Sequence, residues 1–263
     1  MRPLNVLQFT DTHLLADGQA QLLGLNTHES LRLVLQLARQ RHQQPDLVLV
    51  TGDLVHDGSE SGYTRLQEFF SAYSVPVLLM AGNHDELRQL QNSAADGPAR
   101  FVKQIQCRGW RIILLDSTIP GSDGGRLADV ELSMLQQHLS SAPALPTLVC
   151  LHHQPVPMGS RWLDGMLLEN AREFFAVLDR HPQVRGVLWG HVHQEYDEMR
   201  NGVRLLATPS TCFQFKPGSD DFALDALAPG YRWLDLYPDG RIDSGVSRLE
   251  RVSTDLDMQA TRY

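Results

Sequence analysis

Five short apolar runs in this chain each end in a cluster of Asp, His, Asn and Gly. That recurrence limits the available folds more than any other feature. Residues 4–9 run into Thr10-Asp11-Thr12-His13, and 47–50 into Thr51-Gly52-Asp53. Residues 76–80 lead through Ala81 into Gly82-Asn83-His84-Asp85. Residues 147–151 run into His152-His153, and 185–189 into Gly190-His191-Val192-His193. Runs of this length and composition read as buried strands. In open α/β sheets, ligands gather beyond the carboxyl ends of the strands. A sixth run, 111–115, ends in Asp116-Ser117, breaks the His-rich pattern and is left out of the set.

Further strands are expected at 203–207, 232–236 and 242–246. Helical spacing falls between the strands, at 28–40, 61–72, 129–139 and 170–178. Strands alternating with helices argue for a layered α/β domain. Residues 92–99 are small and polar, and 213–230 are rich in Pro, Gly and Asp, so both read as loops. With no internal repeat and no dividing linker, residues 1–263 read as one domain.

The chain is 42% hydrophobic and 21% charged, enough apolar matter for a sizeable core. It has no apolar run long enough to cross a bilayer. Met1-Arg2-Pro3-Leu4 lacks the order of a signal peptide. Cys107, Cys150 and Cys212 are too few and scattered for a disulfide framework. These features point to the cytoplasm, with no membrane partner. The formal net charge of −8, without a dense Lys/Arg patch, argues against a nucleic-acid polymer as partner. A small anionic substrate remains open if the site supplies its own positive charge.

In an extended chain, residues i and i+2 face the same way. Asp11 can then share a site with His13, and His191 with His193. Gly52, Gly82 and Gly190 precede candidate ligands and permit sharp exits and close approach. The candidate ligands are Asp11, His13, Asp53, Asn83, His152, His191 and His193. Four imidazoles, two carboxylates and one amide suit Mn, Fe, Zn or Co better than Mg or Ca. Seven side chains exceed one tetrahedral site. Two ions sharing a bridging carboxylate fit better, and Asp53 is the natural bridge. Two divalent ions, two carboxylates and one hydroxide leave a single positive charge, matched to a phosphodiester.

A lone His or Asp is more often structural than catalytic. Of the eleven histidines, His42, His56, His138 and His181 read as surface or helix residues. Asp57 reads as a loop residue. Asp85 has two readings: a carboxylate that orients His84, or the N-cap of a helix starting at Glu86. His152 and His153 should point to opposite faces, so one of them ligates.

In this order the clusters resemble the calcineurin-like metallophosphoesterase family. The match covers Asp11-x-His13, Gly52-Asp53, Gly82-Asn83-His84-Asp85, His152 and Gly190-His191-x-His193. The resemblance implies a four-layer αββα sandwich, with two mixed sheets face to face and helices outside. It implies one ion on Asp11, His13, Asp53 and His193, and another on Asp53, Asn83, His152 and His191. It selects His152 over His153, although Gln154 departs from the Pro that many relatives carry. Fe or Mn is the expected pair, with Zn or Co as alternatives.

Three segments outside the metal motifs resemble the bacterial cyclic AMP phosphodiesterases of that family. They are Leu23-Gly24-Leu25-Asn26-Thr27, Ser160-Arg161-Trp162-Leu163-Asp164, and Leu205 through Pro217. The implied reaction is hydrolysis of 3′,5′-cyclic AMP to 5′-AMP by a metal-bridging hydroxide. His84 and Asp85 are the expected catalytic pair, His84 as general acid or phosphate donor. Asp11, His13, Asp53, Asn83, His84 and His193 would border the substrate. The alternatives are a broader phosphodiesterase, acting on other cyclic nucleotides or glycerophosphodiesters, and a non-catalytic scaffold of the same fold. The chain is expected to act as a monomer or homodimer.

Overall fold

The computed structural model describes residues 2–263. In β1 (Leu4–Phe9), Leu4 and Val6 face one apolar cluster while Leu7 and Phe9 face another. A strand buried on both faces belongs inside a layered fold. The chain continues through α1 (Thr27–Arg41), β2 (Leu47–Thr51), α2 (Glu60–Phe70), β3 (Val77–Met80), α3 (Leu87–Asp96), β4 (Ala99–Phe101), β5 (Gln104–Cys107) and β6 (Trp110–Leu114). Next come β7 (Thr118–Ile119), β8 (Ser122–Gly125), α4 (Asp129–Ser141), β9 (Thr147–Cys150), α5 (Arg161–Asp164), α6 (Ala171–Leu178), β10 (Val184–Trp189) and β11 (Tyr196–Arg200). The last elements are β12 (Val203–Ala207), β13 (Gln214–Phe215), β14 (Leu224–Asp225), β15 (Gly230–Leu236) and β16 (Ile242–Arg248).

Two six-stranded sheets result, in the orders β16-β15-β1-β2-β3-β4 and β11-β12-β10-β9-β6-β5. In the first, β1 to β4 run parallel, β15 pairs antiparallel with β1, and β16 pairs antiparallel with β15. In the second, β6, β9, β10 and β12 are parallel, with antiparallel β5 and β11 at the edges. The sheets meet through Val6, Leu49 and Leu78 on one side and Ile112, Leu148 and Leu188 on the other. Leu31, Val34 and Leu35 of α1, with Leu66 and Phe70 of α2, cover the outer face of the first sheet. Leu135 and Leu139 of α4, with Phe174 and Leu178 of α6, cover the second. These are the four layers expected.

Local chemistry sets the helix starts. Asn26 accepts the Glu29 amide at 2.8 Å and Ser59 accepts that of Gly62 at 3.2 Å, each capping an orphan donor.

Two expected loops carry regular structure. Residues 92–99 hold the second half of α3 and the start of β4. The helix shows only Leu90 and Ala94 as buried apolar residues, too faint a stripe to read. Gln67 of α2 then acts as a neighbouring strand for Ala99. Its side chain accepts the Ala99 amide at 2.9 Å and donates to the Ala99 carbonyl at 3.0 Å. Within 213–230, β13 and β14 pair as a short hairpin. The edge strands β5 and β11 alternate poorly in apolar residues, and pairing rather than burial defines them.

Candidate metal centre

The parallel strands deliver their exits to one place. Asp11 donates its amide to the Gly52 carbonyl at 3.0 Å, and His13 donates to Asp53 at 2.9 Å, so the loops after β1 and β2 run side by side. The His191 amide, after β10, donates to Asp11 Oδ1 at 3.0 Å and joins the second sheet to the first. Asp11, His13, Asp53, His152 and His193 have no exposed surface, and His191 has almost none. Asn83 and His84 stay half-exposed at the rim.

The convergence does not come from strand alternation. Asp11, His13, Asp53, His191 and His193 have φ between 43° and 63°, the left-handed region. They are five of the eight non-glycine residues with positive φ among the described residues. Left-handed backbone costs an L-residue about 1–2 kcal/mol, so strain is concentrated here, as it is at many functional sites. The i,i+2 pairs face one site because each ligand turns the chain left-handed. That replaces the extended geometry expected from the spacing. Gly52 makes one turn possible: its φ is 94°, and a Cβ there would strike the His152 ring.

Six of the candidate ligands fall into two groups, each with its ligand atoms within 4.8 Å: Asp11, His13 and His193, and Asp53, His152 and His191; His13 also forms such a group with His56 and His84. Their hydrogen bonds show which atoms are free. His193 Nδ1 donates to the Phe213 carbonyl at 2.8 Å, and His152 Nδ1 to the Thr51 carbonyl at 2.9 Å. Each Nε2 is left with a lone pair. His193 Nε2 lies 3.3 Å from His13 Nε2, and His152 Nε2 lies 3.3 Å from Asp53 Oδ2. Lone pairs facing one another at that range repel unless a proton or cation lies among them. Asp53 Oδ2, His152 Nε2 and His191 Nε2 are buried without a hydrogen-bond partner, which native interiors rarely tolerate. Asn83 Oδ1 is 3.0 Å from His191 Nδ1, the spacing of a hydrogen bond or of two ligands about 2 Å from one ion. The donor set therefore fits divalent metal.

Titration behaviour agrees. Burial drives His13 and His191 well below the ordinary imidazole range, leaving them neutral as metal binding requires. Burial opposes a charge on His152 as well, but Asp53 overrides it and lifts His152 to about 9. Burial would raise Asp53, yet His152 and then His84 hold it well below the usual carboxylate range. A proton between Asp53 and His152 plays the part a cation would play.

The remaining residues form the support. His84 donates its amide to Asp53 Oδ1 at 3.0 Å, leaving Oδ2 for the cage. Asp85 neither touches the His84 ring nor caps α3, whose N-cap is Glu86. Its carboxylate accepts the amides of Leu54, Val55 and Gly82 and the Tyr63 hydroxyl, all between 2.8 and 3.2 Å. It thus ties the Asp53 exit to the Asn83–His84 turn. Burial and the nearby Asp53 push Asp85 up to about 6. His153 does not face away: its ring centroid is 4.7 Å from that of His191. Its Nδ1 meets Ser117 Oγ at 2.8 Å, and it stands outside both ligand groups. Burial, followed by His152, lowers His153 to about 3.

Two contributors escaped the sequence reading. Ser117 Oγ accepts the amides of His152 and His153, both at 3.3 Å. Its strand-end position was the available signal. His56 is not a surface residue: it is half-buried, with Nδ1 3.2 Å from His13 Nδ1 and its ring stacked on His84 at 4.7 Å. If His13 presents Nε2 to an ion, its Nδ1 carries the proton and His56 accepts it. Asp57 lies on an exposed loop, where it accepts the Ala16 amide.

A model of the family described as calcineurin-like phosphoesterase matches residues 4–195. The chain is 44% identical over 258 residues to the 3′,5′-cyclic adenosine monophosphate phosphodiesterase CpdA of Pseudomonas aeruginosa, covering 98% of this chain and 94% of that one. It is 42% identical to CpdA of Escherichia coli strain K12, covering 99% and 95%. A dimetal phosphatase from Danio rerio superposes with a TM-score of 0.64 at 16% identity, covering 96% of this chain and 98% of that one. The anchor protein of the inner membrane complex of Plasmodium superposes with a TM-score of 0.61 at 13% identity, covering 97% and 91%. Enzyme and anchor share the layers, so the fold alone does not decide activity.

Proposed function

The chain belongs to the calcineurin-like phosphoesterase family, and from that premise we propose that it hydrolyses 3′,5′-cyclic AMP to 5′-AMP with two divalent ions. The observation that carries the reaction class is the paired groups of free nitrogen and carboxylate atoms, facing one another across Asp53. Similarity to the CpdA enzymes along nearly the whole chain supports the substrate. The proposed compartment is the cytoplasm, where free cysteines such as Cys107, Cys150 and Cys212 persist.

Asp11, His13, Asp53 and His193 would hold one ion, and Asp53, Asn83, His152 and His191 the other. When bound, the ions neutralise the phosphate and acidify the attacking water. The chain's own residues do the rest. Water's oxygen joins phosphorus and gives up one proton, the bond from phosphorus to O3′ breaks, and O3′ takes a proton from a donor that the water's proton restores. We assign that donation to His84. It is the half-exposed imidazole at the rim, its amide is pinned to Asp53, and its ring packs on His56 and on His13 at 5.0 Å. Asp85 acts through position by holding the turn that carries His84.

Product analysis tests the reading. Protein loaded with Mn²⁺ and given cyclic AMP should yield 5′-AMP. Formation of 3′-AMP, or inertness toward cyclic AMP with turnover of other diesters, would refute the assignment.

A further inference from the structure

Beyond the three clusters of the sandwich lies a fourth apolar cluster that belongs to no sheet interior. Leu23 and Leu25, Trp162 and Leu163, Phe213 and Phe215, Phe222 and Leu224, and Leu256 and Tyr263 meet in it. The three segments that resemble cyclic nucleotide phosphodiesterases all converge here. The stretch 252–263 completes the cluster and is docked, not loose. The Asp257 amide donates to Leu23 at 2.9 Å, and the Asp255 carbonyl fills the space a Cβ on Gly24 would need. Gln154, just past His152, donates to the Leu163 carbonyl at 2.7 Å and fastens this roof to the cage.

Under the roof lies a cavity of about 220 Å³, bounded by Asn83 and His84 toward the cage, by Trp162, Phe215, Phe222 and Tyr263, and by the charged Asp123 and Arg262. Tyr263 stacks on Phe222 at 5.7 Å and lies 5.5 Å from His84. Trp162 stands edge-on to Phe215 at 4.9 Å and to Phe222 at 5.4 Å. Pockets that enclose a whole drug-sized ligand span roughly 300–1,000 Å³, so this space suits a single ring system. A second cavity of about 570 Å³ on the other side of His84 is bordered by Asp57, Asp85 and Glu86 and has no Phe, Tyr or Trp. Planar bases stack on aromatic faces, which favours the first cavity for the base.

We propose that this aromatic slot, with Tyr263 as the wall that packs against His13 and His84, is the base subsite of the enzyme and takes a flat purine by stacking while the cage holds the phosphate. The proposal rests on the cyclic nucleotide reading above. Tyr263 is a specificity residue here and takes no part in the bond breaking.

The test compares Tyr263→Ala and Tyr263→Phe with the parent on two substrates: cyclic AMP, and 3′,5′-cyclic ribose phosphate lacking the base. Loss of one stacking partner should raise KM for cyclic AMP about tenfold, with kcat held. Tyr263→Phe should restore KM, and the baseless diester should be unaffected. A separate arm titrates adenosine against metal-free protein and follows Trp162 fluorescence, with Trp162→Phe as the blank. Saturable quenching that Tyr263→Ala weakens supports the slot even if cyclic AMP is not the substrate. Equal loss on both diesters, or unchanged kinetics with no quenching, overturns the slot and leaves the phosphodiesterase reading standing. Faster turnover of both diesters in Tyr263→Ala also overturns it, because the ring would then be a plug.

Discussion

Asp11, Asp53, His152 and His193 are fully buried and sit where strands end, whereas Trp162 stands on the single-turn α5, Phe222 and Tyr263 on loops, and all three keep part of their surface in solvent. The cage is polar, strained in its backbone and left with free lone pairs. The roof is apolar and built from side chains far apart in sequence. A reacting centre needs groups held to within a fraction of an ångström, and rigid strand ends supply that. A wall for a flat ring needs area and fit, and loops suffice. On the reading proposed above, the difference separates two parts of the function: reaction class in the cage, choice of substrate in the roof.

The comparison can be broken from the cage side first. Asp53→Asn removes the carboxylate common to both ion sites. The expected loss in kcat/KM is about 10⁴-fold or more, since each ion supplies several kcal/mol. Retention of full activity would make the cage irrelevant. His84→Ala should lower kcat by about 10³-fold while both ions stay bound, the size of a lost general acid. Normal kcat with full metal content would remove His84 from the chemistry. Asp85→Ala strands three amides and a hydroxyl. It should destabilise the fold by about 3 kcal/mol, whereas Tyr63→Phe, which removes a single donor, should cost about 1 kcal/mol. Urea unfolding measures both, and equal effects would contradict a clamp centred on Asp85. His56→Phe keeps the stack on His84 but takes the acceptor from His13, so ion affinity should fall about tenfold. Unchanged affinity would reduce His56 to packing.

The cage was legible because its chemistry is local. Each ligand lies within a few residues of an apolar strand, and Gly-Asn-His-Asp or Gly-His-Val-His carries meaning without knowledge of its partners. The layers were legible for the same reason, since β1, β2, β9 and β10 are short runs made mostly of buried apolar residues. The left-handed turns were not legible, because nothing in Asp11 or His193 alone distinguishes them from extended residues. His56 was missed because its partners, His13 and His84, are distant in sequence. Half of α3 and the β13–β14 hairpin were missed because packing, not propensity, orders them. Asp85 does not cap α3, whose N-cap is Glu86, and its carboxylate binds the backbone around the His84 turn. Its role depends on three amides and a tyrosine brought in by tertiary structure.

The central claim is that Asp53 joins two ion sites. The most direct measurement is the number of transition-metal ions per chain, by inductively coupled plasma mass spectrometry, after loading with Mn²⁺ or Fe²⁺ and removal of free metal. The account predicts two ions per chain in the parent protein. A saturated value of one, or none, would contradict it.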